Sequence, residues 1–134
     1  MDIKKPVNLI AFLNSDINER NNNLPEQYCL KSGYANGYVA VPPGHPLYGK
    51  NLMDFTLNVH GGVTFTDHYG TVKRNFKSIE YIDDALNVSD DWWVIGFDTC
   101  HFDDSLERWP KEAVIKETLH LKHQLEELCT TSGQ

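Results

Sequence analysis

The sequence has little cysteine, and its cysteines are not arranged in pairs. It contains three, Cys29, Cys100 and Cys129, and no CxxC spacing. An odd number without close pairs is unlike a disulfide framework and is typical of reduced thiols in a cytoplasmic protein. We therefore expect a cytoplasmic location and no zinc site built mainly from cysteine.

Long hydrophobic runs are also missing from the chain. No apolar stretch approaches the roughly 20 residues that a membrane-spanning helix needs. The N-terminal segment starts with lysines and a short apolar stretch, but it lacks a small-residue cleavage site, and Asn14, Asp16 and Asn18 interrupt it. The pattern indicates neither a signal peptide nor a partnership with membranes.

Basic residues are scarce relative to acidic ones, with 12 Lys and Arg against 19 Asp and Glu and a formal net charge of -7. Proteins that coat nucleic acid are normally basic, because phosphate contacts supply most of their affinity. A nucleic-acid partner is therefore not expected. The best basic cluster is Lys73, Arg74 and Lys77. It is typical of a solvated face, although it could hold one or two phosphates of a small ligand.

Several motifs that would name a chemistry are absent. The sequence has no HExxH zinc motif, no GxxxxGK[ST] phosphate loop and no GxGxxG dinucleotide fingerprint. Any active site must therefore be inferred from residue types and their positions in the fold.

What the chain does contain is the pattern of one α+β domain spanning residues 1–134. Apolar segments predict a strand at 36–42, another at 76–82 and a buried strand that begins at Trp92, whereas residues 3–13 fit a strand or a short helix. Residues 42–50 are rich in proline and glycine and predict a stiff loop; 21–25 predict a loop, 51–55 a helical turn and 67–70 a turn.

The C-terminal segment predicts one long helix over residues 111–128. Pro110 suits a helix start, and apolar residues recur at helical spacing: Val114, Ile115, Leu119, Leu121, Leu125 and Leu128. Several strands followed by one long helix imply a mostly antiparallel sheet with that helix packed on it. We expect a disordered tail at about 130–134.

The first candidate site follows the strand that begins at Trp92. Asp98, His101 and Asp104 occur there at three-residue spacing. Imidazole and carboxylate groups together suit a divalent metal, and they also suit general acid–base chemistry. Alternatively, Asp98 caps a turn, His101 is half-buried, and Asp103 with Asp104 starts a helix.

The second candidate site is His60, followed by Gly61, Gly62 and, two places on, Thr64. Glycine beside a functional side chain lets a ligand reach backbone N–H groups. The Gly-Gly pair fits the turn of a hairpin, or an extended chain that another group approaches closely.

Three further residues are candidate ligand-binding groups. His45 and Lys50 belong to the stiff loop, which could form a pocket wall and offer Lys50 to an anion. Trp92 and Trp93 should face opposite sides of their strand, so that one lies in the core and the other, Trp93 in our assignment, lies in a pocket. A cysteine nucleophile at Cys100 is disfavoured, because adjacent residues such as His101 usually point apart.

Three segments in order, GYVAVPPGHPLYGK, VHGGVTF and WWVIGFDTCHFDD, give the chain a resemblance. Over roughly residues 34–128 it resembles a family of small, largely uncharacterised bacteriophage and prophage proteins with GYVxVPxGHPLYGK, HGG(L/I)T(F/Y) and WWxGFDxxHxGD segments. Asp103 departs from that pattern, which has glycine there. The positions carried over are Gly44, His45, Pro46, His60, Gly61, Gly62, Thr64, Gly96, Phe97, Asp98, His101 and Asp104.

The resemblance implies a phage protein acting in the host bacterial cytoplasm, and three functions stay open. One is a homo-oligomer that sequesters a small nucleotide-like ligand, such as an immune second messenger, as an anti-defence protein. Its ligand-binding residues would be His45, Lys50, His60, Gly61, Gly62, Thr64, Trp93, Asp98 and His101. Another is a hydrolase of phosphodiester or related bonds that uses a divalent metal with His60, Asp98, His101 and Asp104. The third is an acidic inhibitor that binds a host protein.

Overall fold

The structure is a computed structural model that describes residues 8–132. It is built on a five-stranded sheet with the order β3-β5-β2-β1-β4, in which every neighbouring pair is antiparallel. The strands are β1 (Ile10–Asn14), β2 (Asn36–Val41), β3 (Phe65–His68), β4 (Ile79–Tyr81) and β5 (Trp93–Phe97), and the helices are α1 (Asp16–Asn22), α2 (Tyr69–Asn75) and α3 (Lys111–Ser132). The predicted α+β class, with a long C-terminal helix on an antiparallel sheet, is confirmed.

The helix α3 covers one face of the three central strands. Its Val114, Leu121 and Leu125 are fully buried against residues such as Val39 and Ile95. The predicted apolar stripe is confirmed in this part, whereas Leu119 is wrongly included, since 40% of its surface is exposed. The helix continues through Ser132, beyond the predicted end at Leu128, and residues 133–134 of the expected tail lie outside the described residues.

An aromatic cluster covers the other face of the sheet. Phe12 stacks on Tyr38 with ring centroids 5.5 Å apart, and Tyr69 and Val72 of α2 pack over them. Apolar side chains on both faces explain why β1, β2 and β5 read as continuous hydrophobic runs rather than as alternating ones. As predicted, Trp92 and Trp93 belong to opposite faces.

The short helices α1 and α2 are not predicted from the sequence. Part of the predicted loop at 21–25 is the end of α1, and the predicted turn at 67–70 is the end of β3 and the start of α2. Seven-residue helices carry too few periods for a hydrophobic pattern, so that tertiary packing decides their existence. The predicted strand at 76–82 is confirmed as β4, the helical turn at 51–55 as the single turn Leu52–Asp54, and the strand option for 3–13 holds over Ile10–Asn14.

The antiparallel register determines which loops meet. Asn14 pairs with Asn36, Gly37 with Phe97, and Gly96 with Phe65. The segments that follow β1 and β5 therefore leave the sheet at the same end as the segments that precede β2 and β3. We call this the Asp98 end, and the opposite one the Trp93 end. None of the described helices is both long and apolar enough to cross a bilayer.

Candidate metal centre and adjoining groove

Three side chains from two distant segments converge at the Asp98 end. His60 Nε2 lies 2.8 Å from Asp104 Oδ1 and 3.1 Å from Oδ2, and His101 Nδ1 lies 2.9 Å from Oδ2. The imidazole rings of His60 and His101 are 5.0 Å apart and nearly perpendicular. The two motifs identified in the sequence, whose histidines are 41 positions apart, thus form one cluster, which we call the His60–His101–Asp104 cluster.

Backbone hydrogen bonds hold the segment that carries His101 and Asp104. The Gly33 N–H donates to the Thr99 carbonyl at 2.8 Å, and the Tyr34 N–H donates to the Trp109 carbonyl at 2.8 Å. The buried Thr99 hydroxyl donates to the Ala35 carbonyl at 2.7 Å. Both ends of segment 99–109 are therefore fastened to the chain that enters β2, which restricts the positions of the side chains between them.

His60 reaches the cluster because its loop is fastened to α3. The Gln124 side chain bonds both the N–H and the carbonyl of Asn58, at 2.9 and 2.8 Å. The Glu117 carboxylate accepts the His60 backbone N–H at 2.7 Å. The Trp109 ring lies 4.2 Å from the His60 ring and covers one side of it. Glu117 and Trp109 were not predicted as site residues, and no spacing in the sequence marks them.

Gly61 allows His101 to approach. Its φ of +69° is in the left-handed region, and a Cβ placed on it would lie 2.3 Å from His101 Nε2. Any side chain there would displace the imidazole. The Gly61-Gly62 pair forms a turn, in which the Gly62 N–H donates to the Val59 carbonyl at 2.8 Å. Of the two segments that flank this turn, only the following one contains a strand, β3. The predicted close approach at this motif is confirmed by the His101 ring, whereas the predicted extended chain is wrong, since both glycines have left-handed φ angles in a turn.

The environment of Asp104 holds its carboxylate in the charged form. Burial raises its pKa, but the hydrogen bonds from the His101 N–H, the His101 imidazole and the His60 imidazole outweigh this and keep the pKa below its ordinary value. An ionised carboxylate only accepts hydrogen bonds. His60 Nε2 and His101 Nδ1 are therefore the donors in their contacts with Asp104.

The donor set of the cluster fits a divalent cation. One atom from each of His60, His101 and Asp104 can be chosen so that all three lie within 4.8 Å of one another. Two imidazoles and one carboxylate, with further positions open, form the protein ligand set of several catalytic zinc and iron sites. Ligands at about 2.1 Å from a tetrahedral ion lie about 3.4 Å from each other. To admit an ion between them, the hydrogen bonds of the cluster would have to lengthen by roughly half an ångström, and His60 Nε2 and His101 Nδ1 would have to give up the protons that they donate to Asp104.

Asp98, also a predicted site residue, is beside the cluster rather than in it. Its Oδ1 is 3.5 Å from His101 Nδ1 and accepts the Cys100 N–H at 2.9 Å. The expectation that Asp98 caps a turn thus describes part of its role. Asp104 does not start a helix, because α3 begins only at Lys111. Burial, with the charges of Asp98 and Asp104, raises the pKa of the Cys100 thiol to about 11, which makes it a poor nucleophile at neutral pH.

The remaining predicted ligand-binding residues do not join the cluster. The Trp93 Nε1–H donates a hydrogen bond to the Lys50 carbonyl at 3.0 Å. Trp93 begins β5 at the end of the sheet away from the cluster, and about 13 Å of strand separates it from Phe97. His45 is buried, with Nε2 at 2.8 Å from the Leu125 carbonyl and Nδ1 accepting the Leu47 N–H. Thr64 is exposed at the Asp98 end, where its N–H bonds the Gly96 carbonyl.

A groove adjoins the cluster at Asp104. It has a volume of about 540 Å³ and is lined by residues from α1, from 29–32 and from 102–108. The sequence predicts phosphate-binding groups elsewhere, at Lys50 and at Lys73 with its neighbours. Lys73 is instead paired with Asp90 at 2.7 Å.

Comparison of the chain with protein-family models, with curated proteins and with solved structures finds no match. The resemblance to a phage protein family stays a prediction that rests on the three sequence segments.

Proposed function

We propose that the protein is a metal-dependent hydrolase that cleaves a phosphodiester or a related bond. The observation that carries this proposal is the convergence of His60, His101 and Asp104. These groups come from segments more than 40 positions apart in the sequence, and each segment is held in place by its own hydrogen bonds. An arrangement of this kind supplies a pre-organised ligand set, which is what a catalytic metal site requires.

The neighbouring residues support the ligand set in the manner of a metal centre. Glu117 fixes the backbone of His60, and Trp109 fixes the plane of its ring. Residues that orient the ligands contribute strongly to metal affinity and activity. The side chains of His60 and His101 are 25% and 37% exposed, so that a substrate can reach the open side of the cluster.

The hydrolysis follows from the roles of these residues. A divalent cation bound there would supply Lewis-acid chemistry and lower the pKa of water. Asp98, 31% exposed and 3.5 Å from His101, is the carboxylate available to take a proton from the attacking water. The oxygen of that water adds to phosphorus, the P–O bond to the leaving alcohol breaks, and the proton passes to the leaving oxygen.

The test is hydrolysis of bis(p-nitrophenyl) phosphate by protein loaded with Zn²⁺, Mn²⁺ or Mg²⁺. At least one of these ions should give turnover, which His101→Ala abolishes and Asp98→Asn lowers by roughly a hundredfold or more. His123→Ala, which alters an exposed histidine of α3, serves as the matched control and should retain full activity. Absence of turnover with every ion, or turnover that survives His101→Ala, contradicts the hydrolase.

The second candidate function is capture of a small ligand without turnover, as in a protein that sequesters a signalling molecule. Two observations favour it: Asp104 lines a groove of small-molecule size, and its carboxylate accepts hydrogen bonds from both imidazoles and from the His101 N–H. In that case a bound ligand is recovered intact after prolonged incubation with metal. The phage origin, the anti-defence role and the homo-oligomer belong to this proposal and rest on the sequence resemblance.

A further inference from the structure

The groove beside Asp104 combines exposed apolar surface with cations. Phe102 in the turn after His101 is 90% exposed, and Leu30 and Leu106 are each more than half exposed. An isolated exposed apolar residue needs no explanation, whereas three of them lining one groove indicate a surface that a ligand covers. The ring of Phe102 is flat and open, which suits stacking on an aromatic ligand.

Two cations, Lys31 and Arg108, line the same groove. Lys31 belongs to the 29–32 segment, and Arg108 belongs to the segment that carries Asp104. Neither takes part in an ion pair among the described residues, whereas Lys73, Lys111 and Lys122 are each paired with a carboxylate. Both cations are therefore available to a ligand, and a guanidinium is well shaped to hold a phosphate.

We propose that this groove binds a nucleotide, with its base stacked on Phe102 and its phosphates held by Arg108 and Lys31. The inference rests on the proposed function in one respect: a phosphate that bridges to the cluster lies beside Asp104, which belongs to both the groove and the candidate metal centre. Asp103 also lines the groove. Because these carboxylates repel a phosphate, a divalent cation at the cluster should strengthen binding by offsetting their charge.

The probe for this proposal is an adenosine dinucleotide with a phosphorothioate linkage that resists cleavage. Isothermal titration calorimetry measures its affinity for the full-length protein in Mn²⁺ and in EDTA. We expect binding in Mn²⁺ that is weakened in EDTA. Arg108→Gln should weaken it roughly tenfold, because it removes a charge-assisted hydrogen bond, and Phe102→Ala roughly tenfold by loss of stacking.

Matched controls separate the groove from general surface effects. Lys116→Gln removes an exposed cation from α3, and Leu86→Ala removes an apolar side chain that is 85% exposed outside the groove. Both variants should bind the dinucleotide like the unaltered protein. Phe102 and Arg108 are exposed, so their replacement should leave the thermal unfolding temperature unchanged and the loss of affinity can be assigned to the contact.

The outcomes also distinguish the groove from the hydrolase. If the unaltered protein, Arg108→Gln and Phe102→Ala bind the dinucleotide with equal affinity, the proposal that the groove binds a nucleotide is wrong. This holds even if metal-dependent hydrolysis of bis(p-nitrophenyl) phosphate persists. No binding of the dinucleotide in either buffer overturns it as well. Binding in EDTA that depends on Arg108 and Phe102, without any turnover of the simple diester, supports the groove and contradicts the metal-dependent hydrolase.

Discussion

At the scale of single residues, the geometry of the cluster depends on the close contact between Gly61 and the His101 ring. The Asp98, His101 and Asp104 spacing suggested that these groups lie together, and they do, because three-residue steps in a turn keep side chains near one another. The hydrolase hypothesis includes His60 in the same site, but the sequence could not establish this contact, since no local pattern relates His60 to Asp104, 44 positions later. That contact is set by Glu117 and Gln124 on α3, which fix the loop.

Replacing Gly61 by alanine tests this close approach. Gly61→Ala should destabilise the fold by about 2–5 kcal/mol, from the strain of a left-handed φ and from overlap with the His101 ring. Gly62→Ala is the matched control, because Gly62 has a φ of +80° with no neighbouring atom within 4 Å of an added Cβ, and it should cost only about 1–2 kcal/mol. Urea unfolding measures both; equal losses would show that His101 does not pack on Gly61.

The charge of Asp104 makes stability depend on pH. Its pKa is lower in the folded protein than in the unfolded chain, so its contribution is complete above about pH 5 and is lost as the pH falls through the folded-state pKa. Asp104→Asn should therefore lose about 2–4 kcal/mol of unfolding free energy at pH 7 and show a smaller further loss on acidification. Denaturant unfolding at pH 7, 5, 4 and 3 measures this, because the folded-state pKa lies below 3.8. If the unfolding free energy of Asp104→Asn falls with pH as steeply as that of the unaltered protein, Asp104 is not held in the ionised form as described.

At the scale of the elements, the parts of the fold that could be predicted were those with a long hydrophobic pattern or with several prolines and glycines. The helix α3 could be predicted from its recurring apolar residues, and β2 and β5 from continuous apolar runs that both faces of the sheet bury. The helix α2 could not, because it opens with Tyr69 and Gly70, and its helical form follows from packing Tyr69 and Val72 on the sheet. The loop at 42–50 could be predicted, but not its attachment to α3.

His45 joins that loop to the carbonyl of Leu125 and is expected to act as a structural residue. Burial lowers the pKa of His45 below its ordinary value of 6.5, against the opposing effect of the Leu125 hydrogen bond. The unfolded chain therefore binds a proton that the folded protein excludes, and stability is lost as the pH falls below about 6.5. His45→Gln, whose amide can replace both hydrogen bonds, should show a flatter stability profile between pH 7.5 and 5.

The control for this change is His120→Gln, which alters an exposed histidine of α3. Its unfolding free energy should follow the pH dependence of the unaltered protein. If the His45→Gln profile is as steep as that of the control, a buried neutral imidazole at position 45 does not account for the acid sensitivity.

At the scale of the whole molecule, the candidate residues separate into two groups at opposite ends of the sheet. His60, Asp98, His101 and Asp104 lie at the Asp98 end, whereas Lys50 and Trp93 lie at the Trp93 end. Sequence spacing could not show this division, because it follows from the antiparallel register of β2 and β5. Only the Asp98 end presents both convergent titratable groups and an adjoining groove among the described residues.

The division predicts that residues at the Trp93 end do not contribute to the site. Lys50→Gln and Trp93→Phe should leave metal affinity and dinucleotide affinity within about twofold of the unaltered protein, because neither side chain reaches the cluster. Trp93→Phe should lower stability by about 1 kcal/mol through loss of the hydrogen bond to the Lys50 carbonyl. A tenfold loss of dinucleotide affinity in either variant, measured by calorimetry, would place the ligand at this end instead.

The most direct test of the central claim, that His60, His101 and Asp104 form a metal centre, is native mass spectrometry after equilibration with Zn²⁺ or Mn²⁺. The unaltered protein should gain the mass of one ion per chain, and His60→Ala and His101→Ala should each lose it, while His123→Ala retains it. Affinity should also fall at lower pH, since protons compete for the imidazole nitrogens. A chain without an ion under all these conditions, or an ion that persists in both the His60→Ala and His101→Ala variants, would contradict the metal centre.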